Sequence, residues 1–132
     1  MKPNNRILII DDEYPIRFVL EKTLTAEGYE VQSASNGEEA IELATANHFD
    51  LVMIDLIMPQ KDGFETIVAL QEIQPDIGII AMSGGGWKGG TDCYLRAASK
   101  LGACRTLAKP FGKAAMLEAI EGEIGKLEPR LA

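Results

Sequence analysis

Five short apolar runs recur along this chain of 132 residues, and segments with helical periodicity separate them. The runs lie at residues 7–10, 31–34, 51–54, 77–82 and 104–108. Runs of this length are typical of buried strands, and the segments between them are long enough for helices. The alternation predicts an α/β fold in which right-handed crossovers join five parallel strands through five helices.

The polarity of the five runs predicts their order in the sheet. The runs at 7–10, 51–54 and 77–82 are almost entirely apolar, as expected for central strands buried on both faces. The segments 30–34 and 104–108 interleave polar residues and are typical of edge strands. The order 2-1-3-4-5 fits all five runs. It defines a doubly wound, flavodoxin-like sheet whose switch point lies between strands 1 and 3.

Two of the predicted helices also have recognisable ends. Pro15 stands in the first turn of the first helix, and Gly28 follows its last turn. Ser35 and Glu38 have the spacing of a capping box at the start of the second helix. These signals support the division of the chain into alternating strands and helices.

Composition and charge limit the function classes. A length of 132 residues is typical of one domain, and 46% hydrophobic with 25% charged residues is a globular balance, so we expect one domain over residues 1–132 with a core at about 5–127. The length and the negative charge argue against an attached DNA reader, so we expect no output domain. The net charge of −7 disfavours nucleic acid and anionic membranes as partners. Cys93, Cys104 and a single histidine do not form a zinc motif. No segment is typical of a signal peptide or a membrane span, so we expect a cytoplasmic protein.

Polar residues follow four of the predicted strands. Asp11 and Asp12 follow the first strand, Asp55 the third, Ser83 the fourth and Lys109 the fifth. The carboxyl ends of parallel strands lie at one edge of a sheet. We therefore expect these side chains to converge at the switch point.

Three converging carboxylates repel one another unless a cation neutralises them. Mg²⁺ prefers oxygen ligands and leaves coordination positions open to a phosphate group. Asp55 is the best candidate for a nucleophile that accepts a phosphoryl group, because it stands alone on a central strand beside the switch point. Mg²⁺ and Lys109 would then neutralise the phosphoryl oxygens. Asp11 and Asp12 are better placed to share the metal.

Five motifs in this order resemble a response-regulator receiver domain, and the resemblance covers nearly the whole chain. They are ILIIDDE at 7–13, MIDLIMP at 53–59, DG at 62–63, AMS at 81–83 and LAKPF at 107–111. The resemblance implies that Asp55 is phosphorylated and that Lys109 contacts the phosphoryl group. It also implies that Ser83 is the switch hydroxyl and that the Lys109–Pro110 bond is cis.

The same resemblance implies the ligands of a bound Mg²⁺. Asp12 and Asp55 would bind the ion directly, the backbone carbonyl of Ile57 would be a further ligand, and Asp11 would act mainly through bound water.

The chain departs from the family pattern in three places. Thr106 stands where the family usually has Tyr or Phe, which argues against the usual aromatic-switch coupling. Residues 84–90 are rich in glycine and contain Trp87, which is interpreted either as a partner contact or as a plug over the site. Ile57 is apolar where many members have a polar side chain.

We interpret the chain as a phosphorylation-controlled signalling module that catalyses only its own phosphorylation and dephosphorylation. The predicted partners are a sensor histidine kinase or histidine phosphotransfer protein upstream and an unidentified protein downstream. The alternative is a receiver-like interaction module that works without phosphorylation, as Thr106 and the glycine-rich segment suggest. An aspartate-nucleophile phosphatase would need Asp-x-Asp after strand 1, where this chain has Asp-Asp-Glu. A flavin carrier is disfavoured by the acidic residues in that loop.

Overall fold

Strands and helices alternate along the chain in the computed structural model, which describes residues 5–56, 63–83 and 105–127. The strands are β1 (Arg6–Ile10), β2 (Glu30–Ala34), β3 (Leu51–Asp55), β4 (Gly78–Ser83) and β5 (Arg105–Ala108). The helices are α1 (Tyr14–Ala26), α2 (Gly37–Ala46), α3 (Gly63–Ile73) and the C-terminal helix (Lys113–Leu127). The helix predicted between β4 and β5 lies outside the described residues. So do the glycine-rich segment, Trp87 and both cysteines.

The five strands form one parallel sheet in the order β2-β1-β3-β4-β5. This order confirms the doubly wound, flavodoxin-like prediction, with β2 and β5 at the edges. The polarity of the strands explains their positions: β3 is buried along its whole length, whereas β5 is only partly buried.

Both faces of the sheet are covered by helices, and each face has its own hydrophobic core. Leu8 and Ile10 of β1 point to the core under α2 and α3, whereas Ile7 and Ile9 point to the core under α1 and the C-terminal helix. Alternate residues of a strand face opposite sides, so a strand covered on both sides must be apolar throughout. This requirement accounts for the apolar runs in the sequence.

The ends of α1 and α2 follow the sequence signals, with one shift. Pro15 lies in the first turn of α1. Gly28 follows that helix with φ of 99°, a conformation that favours glycine. The N-cap of α2 is Asn36, one residue later than the Ser35 capping box. Its side chain accepts a 2.8 Å hydrogen bond from the backbone N–H of Glu39.

Gly63 brings the start of α3 against the end of β3. Its N–H donates a 3.1 Å hydrogen bond to the carbonyl of Leu56. A Cβ at this position would lie 2.6 Å from the Leu56 Cα and 2.8 Å from the Asp55 carbonyl oxygen. Only glycine fits this approach without a shift of the backbone. Among the described residues, no helix has the length and apolar character needed to cross a membrane.

Candidate functional site

The sheet places the predicted polar residues at its carboxyl edge. Asp11 directly follows β1, Asp55 is the last residue of β3, and Lys109 directly follows β5. Ser83 ends β4 and is the register partner of Ala108 on β5. The strand order thus brings together residues that are far apart in the sequence.

Three carboxylates form a cluster at this edge. Asp11, Asp12 and Asp55 each offer a carboxylate oxygen, and these oxygens lie within 4.8 Å of one another. Asp11 is fully buried and Asp55 is 6% exposed, whereas Asp12 is open to solvent. The cluster therefore combines two acids shielded from water with one at the surface.

Lys109 bridges the two buried acids. Its Nζ donates hydrogen bonds to Oδ2 of Asp11 at 2.6 Å and to Oδ2 of Asp55 at 3.1 Å. Burial alone would lower the pKa of Lys109. The hydrogen bond to Asp11 and the charges of Asp55 and Asp11 outweigh burial and raise the pKa above its ordinary value of 10.5. Lys109 is therefore a fixed positive charge at neutral pH.

Asp11 is held from several directions. Oδ1 accepts a 2.9 Å hydrogen bond from the backbone N–H of Glu13, while Oδ2 is the acceptor for Lys109. The Asp11 N–H donates to the carbonyl of Ala34 on β2 at 3.2 Å. The Asp11 carbonyl accepts a 2.7 Å hydrogen bond from Nη1 of Arg17. Both carboxylate oxygens of Asp11 are thus engaged by protein donors.

The donor set fits a magnesium ion. Carboxylate oxygens are hard ligands of the kind that Mg²⁺ prefers, and no histidine or cysteine belongs to the cluster. Three carboxylates against one ammonium leave two negative charges, which a divalent cation balances.

The peptide bond between Lys109 and Pro110 is cis, which confirms the expectation from the family resemblance. Phe111, the next residue, packs against the hydrophobic core under α1 and the C-terminal helix.

Three predicted site residues stand apart from the carboxylate cluster or are described only in part. Ile57 lies outside the described residues, and only the backbone of Ser83 is described. Thr106 is half-buried on β5 and lines a cavity of about 410 Å³ with Leu107 and Ala115, between β5 and the C-terminal helix. It does not belong to the carboxylate cluster.

The sequence did not predict the hydrogen bond from Arg17 to the Asp11 carbonyl, or the close packing that requires glycine at position 63. Arg17 falls in the N-terminal part of α1, where the helix dipole disfavours a cation. A basic residue at that point was a usable signal. The motif at 62–63 was recognised, but the close approach of Gly63 to Asp55 depends on a contact between separate elements.

Comparisons with known proteins agree with the family resemblance seen in the sequence. The family model for the response regulator receiver domain matches residues 7–121. Sporulation initiation phosphotransferase F of Bacillus subtilis is 36% identical over 108 residues, which cover 82% of this chain and 84% of that protein. Transcriptional regulatory protein SrrA of Staphylococcus aureus is 36% identical over 99 residues, which cover 70% of this chain and 41% of that protein.

Solved structures agree with the sequence matches. A CheY-like receiver domain protein from Methanospirillum hungatei aligns with a TM-score of 0.87 at 25% identity, covering 97% of this chain and 99% of that one. Response regulator TrrA from Thermotoga maritima, in complex with Mg(2+)-BeF, aligns with a TM-score of 0.78 at 31% identity. The alignment covers 90% of this chain and 98% of TrrA.

Proposed function

Because this chain belongs to the response regulator receiver domain family, we propose that it accepts a phosphoryl group on the Asp55 carboxylate from a phosphohistidine donor. Receiver domains are signalling modules of phosphorylation-controlled two-component systems, and histidine kinases or phosphotransfer proteins phosphorylate them. The roles given below to individual residues are part of the proposal. So is the statement that the chain catalyses its own phosphorylation and dephosphorylation.

The placement of Asp55 carries the proposal. It lies at the end of the central strand β3, 3.1 Å from the Lys109 ammonium and within 4.8 Å of the Asp11 and Asp12 carboxylates. In the transfer step, an Asp55 oxygen forms a bond to phosphorus as the phosphorus–nitrogen bond of the donor breaks. The electron pair of that bond stays on the imidazole nitrogen. Lys109 offsets the negative charge of the transferred oxygens.

Receiver domains bind Mg²⁺ at an acidic pocket, and the carboxylate cluster supplies one here. Asp12, Asp55 and the Ile57 carbonyl would hold the ion directly, and Asp11 would act through bound water. The two protein donors on the Asp11 carboxylate support an indirect role for this residue. When bound, Mg²⁺ supplies positive charge to the phosphoryl oxygens.

Ser83 and Thr106 are the proposed switch residues. The family resemblance assigns the Ser83 hydroxyl to the transferred phosphoryl group, and the position of Ser83 at the carboxyl end of β4, beside β5, is compatible with that role. Thr106, at the other switch position, lines a cavity but has no aromatic ring that could move into it, so we do not expect the usual aromatic-switch coupling there. Three further expectations stay predictions: a downstream protein that reads the switched surface, a cytoplasmic location and the exclusion of nucleic acid as a partner.

The test is the intact mass of the protein after incubation with acetyl phosphate and Mg²⁺. Wild type should gain one phosphoryl group, and Asp55→Asn should gain none because the nucleophile is gone. Asp76→Asn is the matched control, since Asp76 is an exposed acid beyond α3, and it should behave like wild type. Normal uptake by Asp55→Asn overturns the assignment. No uptake by wild type, even from a phosphohistidine donor, favours an interaction module that works without phosphorylation.

A further inference from the structure

Arg17 connects the acidic loop after β1 to the body of α1. Its Nη1 donates the 2.7 Å hydrogen bond to the Asp11 carbonyl, and its guanidinium lies over the Tyr14 ring, 5.6 Å from the centroid. Tyr14 in turn stacks on Phe18, with 6.1 Å between the ring centroids. The guanidinium is therefore held by a ring contact as well as by its hydrogen bond.

The carbonyl that Arg17 holds belongs to the peptide between Asp11 and Asp12. The other contacts of Asp11 fix its N–H and its carboxylate, so this bond fixes the remaining polar group of the residue. The orientation of the peptide sets the direction in which the chain continues to Asp12, which is exposed. The next residue, Glu13, is the N-cap of α1 and makes no side-chain cap hydrogen bond. Arg17 thus restrains the segment from which the Asp12 carboxylate projects.

We propose that Arg17 is a positioning residue for the phosphoacceptor site. It holds the Asp11–Asp12 peptide so that the Asp12 carboxylate faces Asp55, and this inference rests on the proposed function. Groups that orient metal ligands from outside typically change metal affinity by about 10-fold to 100-fold when they are removed.

The charge of Arg17 has the opposite effect from its hydrogen bond. A guanidinium near three carboxylates reduces the negative potential that attracts Mg²⁺, so loss of its charge alone would tighten binding. Loss of the positioning contact would weaken binding. The sign of the change in affinity therefore separates the two effects.

Lys22 provides a matched control on the same helix. Its Nζ lies 5.2 Å from the centroid of the Phe18 ring, so Lys22→Met removes a positive charge and a cation–ring contact. Arg17→Met removes the same two features and also the hydrogen bond to Asp11. Because loss of positive charge beside the carboxylates would tighten Mg²⁺ binding, weaker binding by Arg17→Met than by Lys22→Met reports that hydrogen bond.

The experiment measures Mg²⁺ affinity of the full chain from the amide chemical shift of Glu13, whose N–H donates to Asp11. Arg17→Met should bind Mg²⁺ about tenfold more weakly than wild type. Lys22→Met should stay within about twofold of wild type, and Arg17→Lys should recover part of the loss by restoring one donor. The thermal midpoints of Arg17→Met and Lys22→Met in EDTA should be similar, which excludes a general loss of stability.

Wild-type or tighter affinity in Arg17→Met overturns the inference while leaving the proposed function intact. If that variant does not fold, Arg17→Leu, which also has no side-chain donor, replaces it with the same expected loss and the same contradicting result. A wild-type protein that neither responds to Mg²⁺ nor takes up a phosphoryl group overturns both the inference and the proposed function.

Discussion

At the scale of single residues, Lys109 bridges two carboxylates that are shielded from water and offsets part of their negative charge. Its side chain is only 16% exposed, and that of Asp11 is fully buried. Lys109→Met keeps the apolar length of the side chain but leaves Asp11 and Asp55 without their common donor. We expect the free energy of unfolding in EDTA to fall by about 1–3 kcal/mol, measured by urea denaturation.

Lys113 offers the control for this prediction. It pairs with Glu27 at 3.3 Å, but both side chains are well exposed. Lys113→Met should change the free energy of unfolding by less than about 0.5 kcal/mol. Mg²⁺ should stabilise Lys109→Met more than wild type, because the ion replaces the lost positive charge. Equal stability of wild type and Lys109→Met in EDTA would contradict this account of Lys109.

At the scale of elements, the sequence predicted the strands and their order well, because burial on both faces requires apolar side chains at every position. The N-cap of α2 could not be placed from the local sequence pattern alone. Ser35 and Glu38 have capping spacing, but so do Asn36 and Glu39, and the backbone places the cap at Asn36. The spacing of capping residues alone does not choose between two adjacent N-cap positions.

The candidate site was predictable only in part, for a related reason. Asp11 and Lys109 directly follow strands and Asp55 ends one, so the sheet order fixes their convergence. The contact of Arg17 with the Asp11 carbonyl depends on the path of the loop after β1 and on the orientation of its side chain. Sequence spacing does not specify either of these.

The junction between β3 and α3 gives a prediction about an element. Gly63→Ala would place a methyl group 2.6 Å from the Leu56 Cα, so the start of α3 must move away from the residue next to Asp55. We expect a lower thermal midpoint and slower phosphorylation by acetyl phosphate. Gly112→Ala is the control, because its Cβ would meet nothing within 4 Å, and it should leave both quantities near wild type. Equal effects of the two substitutions would show that the close approach does not matter.

At the scale of the whole molecule, the stability of the fold should decline at alkaline pH through Tyr29. This residue packs against the hydrophobic core under α1 and the C-terminal helix. Burial and the carboxylates of Glu121 and Glu27 raise its pKa above the ordinary value of 10.0. The folded chain therefore holds the phenol proton more tightly than the unfolded chain. Its contribution to stability is complete below pH 10.0 and is lost as the pH rises through the folded pKa.

Tyr29→Phe removes this titration and keeps the ring. The free energy of unfolding, measured in urea from neutral pH to beyond the pKa of the phenol, should fall less steeply for Tyr29→Phe than for wild type. Parallel curves for the two proteins would show that Tyr29 does not contribute to the alkaline decline.

The central claim is that the Asp55 carboxylate receives the phosphoryl group. Chemical mapping of the phosphorylated residue tests this claim most directly. Borohydride reduces an aspartyl phosphate to homoserine, which peptide mass spectrometry can locate in the chain. After reaction with a phosphohistidine donor and Mg²⁺, homoserine should appear at position 55 and should be absent when EDTA is present. Homoserine at position 11 or 12, or its formation at position 55 without a divalent cation, would contradict the account.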